Sequence, residues 1–152
     1  MIPVSISVQE NDFDVSHEID ALTADAGSVG AVASFVGLVR DEDKLLSSMT
    51  LEHYAGMTEK AIGEIIATAE QRWSLLGVRV IHRIGKLFPG DHIVLVVVSS
   101  KHRGDAFAAC EFVMDYLKTR APFWKREETS AGARWVEARD SDDEAAGRWV
   151  GF

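Results

Sequence analysis

The sequence predicts an α+β fold, a mixed or antiparallel sheet with helices packed against it, in one domain spanning 1–152. Three observations carry this expectation. Short segments such as Val4 to Val8 and Ser48 to Tyr54 alternate apolar and polar residues with the period of a strand. Two longer stretches, one opening near Thr58 and one near Arg103, carry apolar residues at helical spacing instead. Strands and helices do not follow one another in the regular alternation that builds a parallel sheet.

In order along the chain, Val4, Ile6 and Val8 mark a first strand, and Asp14 to Ala24 reads as a short helix stopped near Gly27. Gly30 to Arg40 is rich in β-branched and aromatic residues and predicts a strand, with Gly37 marking a bulge or a close approach by another group. Asp41 to Lys44 is a polar loop, and Ser48 to Tyr54 is the next strand. Thr58 is placed to cap a helix whose stripe is Ile62, Ile65, Ile66, Ala69, Trp73 and Leu76, closed by Gly77. Val78 to Ile84 and His92 to Ser99 form an antiparallel pair across Gly85 to Asp91, whose Gly, Pro and Asp residues supply turn geometry. A helix from Arg103 to Lys118 puts Phe107, Cys110, Met114 and Leu117 on one face, and Pro122 forces the chain out of it. Phe123 to Glu127 and Arg134 to Ala138 then pair around Ser130 to Ala133. Disorder is expected only at the ends, including the polar tail 140–152 with its apolar Trp-Val-Gly-Phe terminus.

Composition narrows the function. A chain of 152 residues has the size of one domain, burying roughly two thirds of its unfolded surface. Its 47% hydrophobic and 26% charged residues are ordinary for a globular protein, and no repeat is visible. A net charge of −8 argues against general binding to nucleic acid or anionic membrane, both of which require extended basic surface. The lone Cys110 excludes an internal disulfide framework and any Cys-x-x-Cys site, which fits a reducing cytoplasm. The N-terminus lacks the pattern of a signal peptide, and no apolar run is long enough to span a bilayer.

Against this acidic background, Lys118 to Glu127 (K-T-R-A-P-F-W-K-R-E) holds four bases and one acid, a local charge of +3. Pro122 divides the run, so Lys118 and Lys125 belong to different elements. Cations gathered from two elements repel one another unless something neutralises them, which points to a small anionic ligand. The plain alternative for Lys118 is a cation complementing a helix C-terminus. Two further groups join the candidates: Arg40 at a strand end, and Lys101-His102-Arg103 where a strand meets a helix whose unpaired N–H groups attract anions. That helix is too long for its two ends to meet, so one compact pocket uses both only with an extended ligand or with two chains contributing. His53 and His82 sit in strand patterns as structural histidines, and no metal is assigned. Cys110 lies on an apolar helix stripe and reads as an inert buried thiol, while Phe123 and Trp124 read as packing beside a proline turn. No P-loop or dinucleotide fingerprint occurs.

Taken together and in order, L-E-H-Y-A-G-M-T-E-K-A from Leu51, V-I-H-R-I-G-K-L-F-P-G-D from Val80, H-R-G-D-A-F from His102, M-D-Y-L-K-T-R-A-P-F-W-K-R-E from Met114 and W-V-E-A-R from Trp135 resemble the large, catalytic subunit of molybdopterin synthase. The resemblance runs from about Gly30 to Arg139. It implies an α/β-hammerhead-like arrangement and a cytoplasmic sulfurtransferase of molybdenum-cofactor biosynthesis. Such an enzyme converts cyclic pyranopterin monophosphate to molybdopterin by installing two dithiolene sulfurs. The sulfur arrives on a small ubiquitin-like sulfur-carrier subunit whose C-terminal Gly-Gly tail carries a thiocarboxylate. Large subunits in the family form a homodimer within a heterotetramer, and no external cofactor is required.

By motif, Lys118 and Lys125 match the family's catalytic lysines. Leu38, Val39, Arg40, His102, Arg103, Arg126 and Glu127 match positions at the anionic substrate, and Arg139 is placed to reach the site from the dimer mate. Phe35 and Met114 are assigned to shaping the pocket or the core. Lys101 adds a charge beside the His-Arg pair. The alternative function is a non-catalytic docking module for a ubiquitin-like tail, and the third is a phosphate-binding protein. The presence of both lysines together with the arginines favours catalysis.

Overall fold

The structure, a computed structural model, describes residues 2–24, 27–41, 44–136 and 140–150. One four-stranded sheet has the order β1 (Val4–Gln9), β4 (Gly77–Arg83), β6 (His92–Ser100), β2 (Ala31–Leu38). Here β1 runs parallel to β4, and the other pairs are antiparallel. The second sheet is antiparallel, ordered β5 (Gly85–Leu87), β3 (Leu46–His53), β7 (Phe123–Thr129), β8 (Gly132–Val136). The expected α+β class, with a mixed sheet and packed helices, is what the chain forms.

Strand β6 explains the layering. Its run H-I-V-L-V-V-V-S-S is buried almost throughout, because both faces of the sheet are covered. Val94, Val96 and Val98 point to one side, with Ala33, Val78 and Val80. On that side α2 (Met57–Arg72) contributes Ile62, Ile65, Ile66 and Ala69, and α3 (Arg103–Arg120) contributes Ala106, Ala109, Cys110, Val113, Met114 and Leu117. Leu95 and Val97 point the other way with Ile81, toward α1 (Val15–Leu22), which supplies Val15, Ile19 and Leu22. Asp14 caps α1 by accepting from the His17 N–H at 3.1 Å. Gly37 meets both expectations made of it: the β2–β6 register shifts between Gly37 and Leu38, and a Cβ there would lie 2.8 Å from Val94 Cγ1.

Four details differ from the sequence reading. Thr58 does not cap α2; Gly56 does, at φ +83°, with Glu59 Oε2 accepting its N–H at 3.3 Å. The Thr58 hydroxyl is fully buried instead, accepting from the Tyr54 N–H at 3.0 Å and donating to the Pro122 carbonyl at 2.9 Å. Gly77 does not close α2, which ends at Arg72. Beyond it the Leu76 N–H already donates to Ser99 O, drawing the chain into β4, and Leu75 rather than Leu76 is buried. Phe107 is 65% exposed, so the apolar face of α3 is carried by its alanines, Cys110, Val113, Met114 and Leu117, with Phe112 and Tyr116 buried beside them. Gly85 to Leu87 is a strand of the second sheet rather than only a turn, pairing with β3.

The second sheet has a small core of its own, Val39, Met49, Leu51 and Leu87. The polar tail carries a helix, α4 (Asp140–Gly147), lying against α3. Trp149 follows it and meets Trp73 and Phe112 edge-on at 5.5 and 5.6 Å, while its Nε1–H donates to Asp115 at 2.7 Å. Among the described residues no helix is long and apolar enough to cross a membrane.

Candidate active site

The end of α3 and the start of β7 are joined by a tight turn. Ala121 adopts an extended backbone, as a residue before proline must, so the helix stops and the chain reverses through Pro122 into β7. Thr58 holds that turn through the Pro122 carbonyl, and β3 pairs with β7 so that His53 faces Phe123 and Leu51 faces Lys125. Lys118 is exposed on the last turn of α3, and Lys125 is half-buried on β7.

His82, at the end of β4, is within electrostatic reach of both lysines. It is 8% exposed, its ring stacks on Phe123 at 3.7 Å and 18°, and its Nδ1 lies 2.8 Å from Arg83 O. Burial first, and then the charges of Lys125, Lys118 and His53, together lower its pKa to about 4 against the opposing hydrogen bond to Arg83 O. The imidazole is therefore neutral at physiological pH. His53 Nε2 lies 3.9 Å from Glu59, which places a carboxylate at the margin of the cluster. Two ammonium groups from different elements, around a neutral ring, can stabilise negative charge developing on a bound molecule.

The other sequence-derived positions are distributed as follows. Leu38 and Arg40 are exposed at the end of β2, which the sheet register puts at the same end of the first sheet as His82. Val39 between them is 4% exposed and packs in the second core; its N–H donates to Asp91 O and its carbonyl accepts from Gly90. Its side chain is thus structural rather than available to a ligand. Strand alternation sends Lys125 and Glu127 to one face of β7, where Glu127 meets Arg134 at 3.7 Å, and sends Arg126 to the other, where it pairs with Glu128 at 3.1 Å. Arg126 shares that outer face with the exposed Trp124 and Trp135 and points away from Lys125.

His102 and Arg103 are exposed at the start of α3, beside the first residues of β2. Fifteen helical residues, about 22 Å, separate Arg103 from Lys118, so one chain does not bring the two groups together. Met114 is buried in the main core and Phe35 is 41% exposed on β2. Arg139 lies outside the described residues.

The thiol of Cys110 is buried and pushed up to about 12 by that burial, with Glu111 adding to the effect, so it supplies no nucleophile near neutrality. The groove of about 480 Å³ lined by Ile65, Arg72, Phe112, Tyr116 and Arg120 lies on a different stripe of α3 from Lys118.

Residues 8–120 match the family model described as MoaE protein. The chain belongs to the MoaE family. A relative from Ralstonia nicotianae, named molybdopterin synthase catalytic subunit, is 60% identical over 147 residues, covering 95% of this chain and 84% of that protein. The Escherichia coli protein of the same name is 54% identical over 151 residues, covering 98% of this chain and all of that one. Among solved structures, the MoaE protein of Burkholderia ambifaria is 53% identical with a TM-score of 0.82, covering 98% of each chain.

In this MoaE-family chain, the motifs that separate reading left unconnected converge. The L-E-H-Y segment supplies His53 and, through Thr58, the restraint on Pro122; the V-I-H-R segment supplies His82. Sequence reasoning treated His53 and His82 as structural histidines. The available signal was their presence in two of the matched motifs.

Proposed function

We propose that this chain is the catalytic subunit of a molybdopterin synthase, a cytoplasmic sulfurtransferase of molybdenum-cofactor biosynthesis acting on cyclic pyranopterin monophosphate. What supports the reading is that Lys118 and Lys125, from different elements, both act electrostatically on the buried His82, in a chain 60% identical to a molybdopterin synthase catalytic subunit. A catalytic subunit implies another, and the sulfur donor is a small ubiquitin-like protein with a thiocarboxylate at its C-terminus.

In this reaction the thiocarboxylate sulfur attacks a side-chain carbon of the pterin and the carbon–oxygen bond there breaks, the oxygen leaving on the phosphate as its ring opens or, at the other carbon, as water, so that a thioester joins substrate and partner. Water then cleaves the acyl bond, releasing the partner as a carboxylate and leaving sulfur on the substrate, and a second charged partner repeats the transfer. Lys118 and Lys125 stabilise the anions that form, and proton transfer through a lysine serves the hydrolysis. Arg40 and Leu38 sit at the same end of the sheet and serve the substrate side. Glu127, on the Lys125 face of β7, orients the neighbouring cations, while Arg126 on the opposite face serves the partner or a second copy. His102 and Arg103, about 22 Å along α3, act on the site of a second copy of this chain, and Arg139 is assigned there with them. Two large and two small subunits then make the working assembly.

The test is reconstitution. The purified chain, thiocarboxylated small subunit and cyclic pyranopterin monophosphate should yield a product carrying two added sulfurs by mass spectrometry, with the partner recovered as carboxylate. A stable complex with no sulfur on the substrate would reduce the protein to a docking module.

A further inference from the structure

We propose that His82 is a positioning residue for the two lysines. As a buried imidazole in its Nδ1–H form, it holds Phe123, and with it the start of β7, against the end of α3 while adding no third positive charge beside Lys118 and Lys125.

The tautomer follows from the contact at Nδ1. Arg83 O, 2.8 Å away, can only accept, so the proton is on Nδ1 and Nε2 carries the lone pair. One ring face is covered by Phe123 at 3.7 Å and 18°, and Phe123 is the first residue of β7, two before Lys125. The charged and titratable groups around the ring come from three other elements: Lys125 from β7, Lys118 from α3 and His53 from β3. All three oppose its protonation, as does its burial, and the ring titrates near about 4. An aliphatic side chain at this point of β4 would leave the Arg83 carbonyl without its donor, and a lysine or arginine would put a third fixed cation beside the other two. A neutral ring with an Nδ1–H donor satisfies the Arg83 carbonyl, gives Phe123 a stacking partner and adds no charge beside the two lysines. The consequence for catalysis rests on the reading of Lys118 and Lys125 given above; the electrostatic coupling does not.

Two measurements on the full chain test this. The first is the titration of the His82 imidazole by NMR in the wild type, Lys118→Ala and Lys125→Ala. Removing either cation should move the midpoint upward from about 4. A midpoint unmoved in both variants overturns the proposal. The second is His82→Gln, which keeps a neutral polar side chain and loses the stack, assayed with thiocarboxylated partner and cyclic pyranopterin monophosphate. Here kcat should fall about tenfold or more, with partner affinity and KM little changed, and His82→Phe should recover part of kcat by restoring the stack. Wild-type kcat in a folded His82→Gln protein overturns the positioning role, and if that variant does not fold, the titration decides. A His82 midpoint that rises in a Lys118→Ala protein of undiminished turnover would uphold the coupling and remove the catalytic reading of Lys118 alone.

Discussion

Acidification should destabilise this protein through one histidine before its carboxylates matter. Burial first, and then the neighbouring Lys125, Lys118 and His53, lower the His82 imidazole from its ordinary 6.5 to about 4. The unfolded chain therefore binds a proton below about pH 6.5 that the folded chain refuses until about pH 4. Stability is present in full above 6.5 and is lost as pH falls through that window. At about 1.4 kcal/mol per tenfold difference in proton affinity, the complete loss is roughly 3 kcal/mol, and about 2 kcal/mol of it falls between pH 7 and pH 5. Urea unfolding at a series of pH values reads this directly. His82→Phe is the control, because it lacks the titrating group, whereas Asp12 and every other ionisable residue are common to both proteins. The wild type should lose about 2 kcal/mol more than His82→Phe between pH 7 and pH 5. Parallel stability curves for the two would refute the claim that His82 is held neutral by its surroundings.

Two further outcomes follow from single contacts. Thr58→Val should destabilise the chain by about 1–3 kcal/mol in urea, because it removes both hydrogen bonds of the buried Thr58 hydroxyl, to the Tyr54 N–H and the Pro122 carbonyl, and Thr58→Ser should recover most of that. Cys110→Ala should leave sulfur transfer near the wild-type rate, and the native thiol should resist a maleimide until the chain is unfolded, since burial holds it near about 12.

The parts of the fold legible in the sequence are those set by period and by breakers. Alternation gave β1 and β3, Pro122 ended α3, and Gly37 announced both the bulge and the approach of Val94. What escaped depended on partners distant in sequence. Thr58 has the chemistry of a cap, yet its hydroxyl is used 64 residues away at Pro122, which local pattern does not register. Phe107 matches a helical stripe, but small residues carry that face of α3 against the sheet and leave the phenyl ring outside.

The candidate site shows the same division. Charge counting found the basic island, and the order of motifs gave its family. The island itself is divided by strand geometry, because adjacent residues of β7 face opposite sides and Arg126 cannot share the side of Lys125. His82 was hidden for a related reason. A histidine in a strand of apolar residues is usually structural, and only the stacking on Phe123 and the nearness of two lysines distinguish this one.

The central claim is that the lysines around His82 carry sulfur transfer. Its most direct test is single-turnover formation of the dithiolene product by Lys118→Ala, with binding of the thiocarboxylated partner measured in parallel. The account predicts a rate reduced at least about a hundredfold with partner affinity retained. A Lys118→Ala protein that binds its partner and forms product at the wild-type rate would contradict it.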